Sequence, residues 1–99
     1  METTKKFDKK VLTVEISGHV DATTAPELEK LVQEEVAKAE SIIFDFAKVE
    51  YISSAGLRVL LSTHKAMTGK GGEFVIQNVT GDVRNILDMT GFSGFLTIK

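Results

Sequence analysis

Ninety-nine residues, 42% hydrophobic and 26% charged, are enough chain for one compact domain with a single core. A net charge of −2 with both signs interspersed argues against nucleic acid as a partner. The absence of cysteine excludes disulfides and leaves any metal site to histidine and carboxylates. The two histidines, His19 and His64, sit in no ligand-spaced cluster. No apolar run approaches the ~18 residues of a membrane helix, and METTKKFDKK lacks the apolar centre of a secretion signal. The expectation is therefore a cytoplasmic protein without metal or cofactor, with no direct insertion into a membrane. Lys5, Lys6, Lys9 and Lys10 flank Asp8 and read as a solvated edge.

Val11 to Ile16 alternates and reads as the first clear strand, ended by Ser17-Gly18. Phe7, set off by Asp8-Lys9-Lys10, suggests a short preceding strand and a tight turn. A helix follows from Thr24, with Thr24 and Glu27 at capping-box spacing and Pro26 in the first turn. Leu28, Leu31, Val32, Val36 and Ala39 form its buried stripe. Ser41 opens the strand Ile42 to Phe46, whose near-continuous apolar character suits a central strand covered on both faces.

Ala47 to Ile52 reads as a link into a second helix beginning near Ser53 or Ser54. Leu57, Leu60, Leu61 and His64 mark its inner face, and Gly69 with Gly71-Gly72 marks its end. Then come a strand from Glu73 to Asn78, a third helix from Thr80 through Val83, Ile86 and Leu87, and a short strand from Phe95 to Ile98. Met67 and Met89 read as core or rim filling. The order β-β-α-β-α-β-α-β predicts an α/β domain spanning 1–99, with a mixed, mainly parallel sheet of four to five strands.

The stretch Asp45 to Leu57 places Ser53, Ser54 and Gly56 where a strand hands over to a helix, the place where function gathers in parallel α/β sheets. A serine there can cap the helix, act as a nucleophile or accept a phosphate, and spacing alone favours capping. A nucleophile elbow needs Gly-x-Ser-x-Gly, but Ile52 stands at the first glycine position when the motif is centred on Ser54. His64, ten residues down the same helix, is about 15 Å away by rise alone, too far for a base. Asp45 lacks the loop and acidic neighbours of a phospho-receiver. Thr68-Gly-Lys-Gly-Gly72 lacks the spacing and direction of a phosphate loop, and a helix stop explains it. Catalytic residues are therefore not expected.

Tyr51-Ile-Ser-Ser-Ala-Gly-Leu57, Ser17-Gly-His-Val-Asp21 with Thr24-Ala25, and Asn85-Ile-Leu-Asp-Met-Thr-Gly91 together resemble the STAS family, and within it the anti-sigma factor antagonists, over nearly the whole chain. The resemblance implies a binding protein that is the substrate of a kinase rather than an enzyme. Its phosphorylated serine falls on Ser54. Ser53, standing where the family has Asp, is the second candidate acceptor. The unmodified form would bind an anti-sigma factor with serine kinase activity and free the sigma factor, and a serine phosphatase would reverse the modification. Partner contacts are expected at Asp21, Thr24, Ser53, Ser54, Ala55, Gly56, Arg58 and Ser62, on a monomer or weak dimer. An STAS module serving a lipid or anion transport system without phosphorylation is the alternative. Many members carry a further helix after the last strand, so in a chain stopping at Lys99 the sheet edge or groove that such a helix would cover is expected to be open or used for contact.

Overall fold

The computed structural model describes residues 1–99. A hairpin of β1 (Glu2–Asp8) and β2 (Val11–Val20) leads through α1 (Ala25–Glu35) and a 3-10 turn (Val36–Lys38) to β3 (Ser41–Ile52). Helix α2 (Ser54–Gly69), β4 (Glu73–Gln77), α3 (Gly81–Met89), a second 3-10 turn (Phe92–Gly94) and β5 (Thr97–Ile98) complete the chain. The five strands lie side by side in sequence order. Strand β1 runs antiparallel to β2, and all later pairs are parallel, so the sheet is the mixed one expected.

Two strands are longer than their hydrophobic pattern predicts. Ala47 to Ile52 is not a link but the distal half of β3, paired with the continuation of β2 past Ser17-Gly18. The register slips between Glu15 and Ser17 and again between Gly18 and His19, with Gly18 at φ +86°. Such irregularities break the two-residue alternation. From Phe46 onward the buried side chains of β3 are Phe46, Val49 and Ile52, three apart, a spacing that does not read as strand. Strand β1 is likewise full length although only Phe7 marks it by sequence, because its pairing is carried by the backbone of an edge strand rich in lysine.

One apolar cluster of 22 buried residues fills the space between the sheet and the helices. Leu12, Val14 and Ile16, then Ile42, Phe44 and Phe46, then Phe74 and Ile76 supply the sheet side. The alternate residues Thr13, Ile43, Asp45, Val75 and Gln77 are only half buried, and Glu15 and Glu73 are exposed. Strand β3 is therefore sealed on one face rather than two, because β2 to β5 advance steadily across the sheet and same-handed crossovers put their helices on one side. The inner face of α2 is Gly56, Val59, Leu60, Thr63 and Met67, joined by Leu57, whereas Leu61 and His64 are half buried. Met67 is core, but Met89 is 85% exposed because it points away from Val83 and Leu87. No helix is long and apolar enough to cross a membrane.

The amino-terminal lysines are not simply a solvated edge. Lys6 and Lys10 lie near Glu15 and Glu40, and Lys5 Nζ donates at 2.9 Å to Glu35, a glutamate of α1 left only 5% exposed. This bond ties the edge strand to the helix above it. It holds the Glu35 carboxyl below the ordinary glutamate range and raises the Lys5 ammonium. The pair therefore stabilises the fold between these limits. Its contribution is lost as pH falls through the lowered Glu35 value and as pH rises through the raised Lys5 value. Glu35→Gln is expected to lower the melting temperature at neutral pH and to flatten its fall below about pH 5, near the unfolded glutamate value. Melting curves from pH 3 to 8 that stay parallel for the two proteins would contradict this.

Candidate functional site

The site is built where β2 and β3 end together. Val20 and Ile52 are register partners, and the Ser53 N–H donates at 2.9 Å to the Val20 carbonyl. Ser53 is extended (φ −97°, ψ 179°) and its carbonyl accepts the Leu57 N–H at 2.9 Å, which makes it the N-cap residue of α2 by backbone geometry. Its hydroxyl, however, makes no capping bond and lies buried without a hydrogen-bond partner. Ser54 is the first helical residue, and it is exposed. The two adjacent serines thus differ sharply in access.

Gly56 fixes how closely the helix approaches. A Cβ there would lie 2.6 Å from Ile52 Cγ1, 2.8 Å from the Val20 carbonyl oxygen and 2.9 Å from Val20 Cγ1. Only glycine lets the first turn of α2 rest on both strand ends.

The neighbouring β2–α1 loop is organised by Asp21 rather than by the expected Thr24–Glu27 capping box. Thr24 already has helical angles and makes no side-chain cap. Asp21 Oδ1 instead accepts the Thr23 N–H at 3.0 Å, the Thr23 hydroxyl at 2.7 Å and the Thr24 N–H at 3.2 Å. The Thr24 hydroxyl donates to the His19 carbonyl at 2.8 Å and accepts the Asp21 N–H at 2.9 Å. Chiefly the Thr23 hydroxyl, helped by these N–H groups, holds the Asp21 carboxyl below its ordinary range. The Asp21 side chain thus satisfies the donors of the turn that leads into α1, while its backbone carbonyl accepts the first helical N–H, that of Ala25, at 2.7 Å, and the Thr24 hydroxyl serves the loop.

The expected contact residues therefore have different standing on the surface. Ser54 and Arg58 are exposed, Asp21, Thr24 and Ala55 are half buried, and Gly56 is sealed. Ser62 donates at 2.8 Å to Glu29 and links α2 to α1. His19 and Tyr51, which lie in two of the motifs but outside the expected contact residues, form an exposed edge-on pair (centroids 6.0 Å) on the distal strands, with His19 Nε2 3.4 Å from Glu50. The signal for them lay in the misread strand ends. No three metal-ligating side chains converge anywhere. The roomiest cleft, about 760 Å³ between distal β3 and the start of α3, is lined by Ser17, Lys48, Val49 and Thr80 among others and includes neither serine of the site.

The family model of the STAS domain matches residues 2–99. The anti-sigma F factor antagonist of Paenibacillus polymyxa is 30% identical over 90 residues, covering 89% of this chain and 77% of that protein. The crystal structure of an anti-sigma factor antagonist from Mycobacterium paratuberculosis is similar, with TM-score 0.88 and 28% identity over 98% of this chain and 83% of its own. The Bacillus cell fate determinant SpoIIAA in its phosphorylated form shares the fold at TM-score 0.80 and 12% identity, over 99% of this chain and 91% of that one.

Gly56→Ala is expected to destabilise the protein by about 1–3 kcal/mol, because a backbone oxygen cannot yield cheaply. This should outweigh the gain of about 1 kcal/mol in helix propensity. Urea unfolding checks it, and a variant as stable as the wild type would show that the close approach is not binding.

Proposed function

The chain belongs to the STAS domain family, and on that premise we propose that it is a cytoplasmic, single-domain anti-sigma factor antagonist switched by phosphorylation of Ser54. The unmodified protein binds an anti-sigma factor with serine kinase activity and so frees the sigma factor. The kinase transfers the terminal phosphoryl group of ATP to Ser54 Oγ, releasing ADP and the hydroxyl proton. A serine phosphatase hydrolyses the ester back to serine and inorganic phosphate. The chain itself catalyses neither step.

The observation that carries this reading is the contrast between the two serines. Ser54 stands exposed on the first turn of α2, while the Ser53 hydroxyl is buried. A kinase can reach the former without unfolding the helix. The unpaired N–H groups and positive dipole end of α2 tolerate the anion, so the modified fold persists. Relatives named as anti-sigma factor antagonists support the partner class, and SpoIIAA, solved in a phosphorylated form, supports the modification.

A phosphate adds about −1.5 to −2 charges and a hydrated group to a surface matched to a neutral serine. Desolvating that charge against the partner costs a few kcal/mol, about a hundredfold or more in affinity. Passing lysate of the native organism over immobilised wild-type, Ser54→Ala and Ser54→Asp proteins tests the reading. An anti-sigma factor is expected on the first two and not on the third, and phosphate incorporation by that partner should vanish in Ser54→Ala but persist in Ser53→Ala. Equal retention on all three, above all of a membrane transport component, would favour the transport-accessory reading instead.

A further inference from the structure

Resting on that reading, we infer that α2 presents a cationic stripe with an apolar centre, and that the partner's docking face is an acidic protein surface with a pocket for Leu61. At 100° per residue, Ser54, Arg58, Leu61 and Lys65 fall within about 60° of one another around the helix, one straight line about 16 Å long. Ser54, Arg58 and Lys65 are exposed. Leu61, in the middle, is half buried yet belongs neither to the core cluster nor to the apolar residues packed against it.

No Asp or Glu occurs anywhere in the sixteen residues of α2, although acids outnumber bases in the chain, 14 to 12. Neither Arg58 nor Lys65 is held in any of the molecule's five ion pairs. Glu29 is the one carboxylate bonded to α2, and it is occupied by Ser62 at 2.8 Å and Gln33 at 3.2 Å. The two cations are thus available to a partner.

An arginine and a lysine either side of a semi-exposed leucine match a protein interface, where an apolar anchor is ringed by polar contacts. Two cations are too few for nucleic acid, whose binders neutralise several phosphates. The stripe also explains why Ser54 is an effective place for a switch. A phosphate of about −1.5 to −2 charges at one end cancels the two positive charges further along. The partner then meets both a local anion to desolvate and a ridge whose attraction is gone.

The test uses the anti-sigma factor retained by the wild-type chain, with association and dissociation rates measured by surface plasmon resonance. At about 0.05 M salt, Arg58→Glu/Lys65→Glu should weaken binding at least about tenfold, mainly through slower association, and the difference should shrink at about 0.5 M salt as charges are screened. Leu61→Ser should speed dissociation about tenfold or more at either salt concentration. Lys30→Glu/Lys99→Glu, with the same change of net charge off the stripe, should bind as the wild type does. Circular dichroism confirms that each variant is folded. If Ser54→Asp is released while the charge-reversed and Leu61 variants bind normally, the stripe is not the docking face and the phosphorylation switch stands. If no anti-sigma factor is retained by the wild type, or Ser54→Asp binds equally, the switch itself falls.

Discussion

Helix α2 reaches the ends of β2 and β3 because residue 56 has no side chain. The Val20 carbonyl that would collide with a Cβ at Gly56 also accepts the Ser53 N–H, so one carbonyl fixes both the start of the helix and its distance from the sheet. The rest of the site depends on that seating. It buries the Ser53 hydroxyl, leaves Ser54 in solvent, and sets the β2–α1 loop, which begins at Asp21, beside the first turn. A larger residue at position 56 would lift the helix and blur the difference between the two serines.

The distal arms of β2 and β3 are the second half of this arrangement. Two register slips and the left-handed backbone of Gly18 let β3 continue for six residues beyond Phe46 while turning its side chains off the simple pleat. The strands therefore end together at Val20 and Ile52, and both chain exits, one toward α1 and one toward α2, lie at one corner. Asp21 then secures the first exit with hydrogen bonds to Thr23 and Thr24. At the β1 edge of the sheet, the Lys5–Glu35 bond ties the strand to α1. On the proposed reading, a partner would meet a corner already held by these hydrogen bonds, which would reduce the ordering cost of association.

The same construction suits the proposed role as a kinase substrate. The serine hydroxyl offered to solvent sits on a helix already formed, and a phosphate placed there would be compatible with the helix start. On the proposed reading, the energetic effect of modification would fall on the complex rather than on the fold. A binary switch needs this separation, since a phosphate that unfolded its own domain would destroy the protein along with the interaction.

The sequence by itself determined the order of elements, a mixed, mainly parallel sheet of four to five strands, the start of α2 at the serines and the family, because alternation, helical spacing and short motifs are local properties of the chain. It did not determine where β2 and β3 end, since bulges replace the two-residue period with Phe46, Val49 and Ile52 three apart. Nor did it orient α2 correctly. Leu61 and His64 look like core by hydropathy, but the packed face includes Gly56 and Thr63, the first admitted by its lack of a side chain and the second because its hydroxyl bonds the Val59 carbonyl at 2.8 Å. Thr24–Glu27 has the spacing of a capping box, but the Thr24 hydroxyl is engaged with the loop at His19 and Asp21. Which of Ser53 and Ser54 faces solvent was decided only by tertiary structure, because adjacent residues of one type carry the same local signal, and only the contact of Gly56 with Val20 and Ile52 turns one inward and the other out.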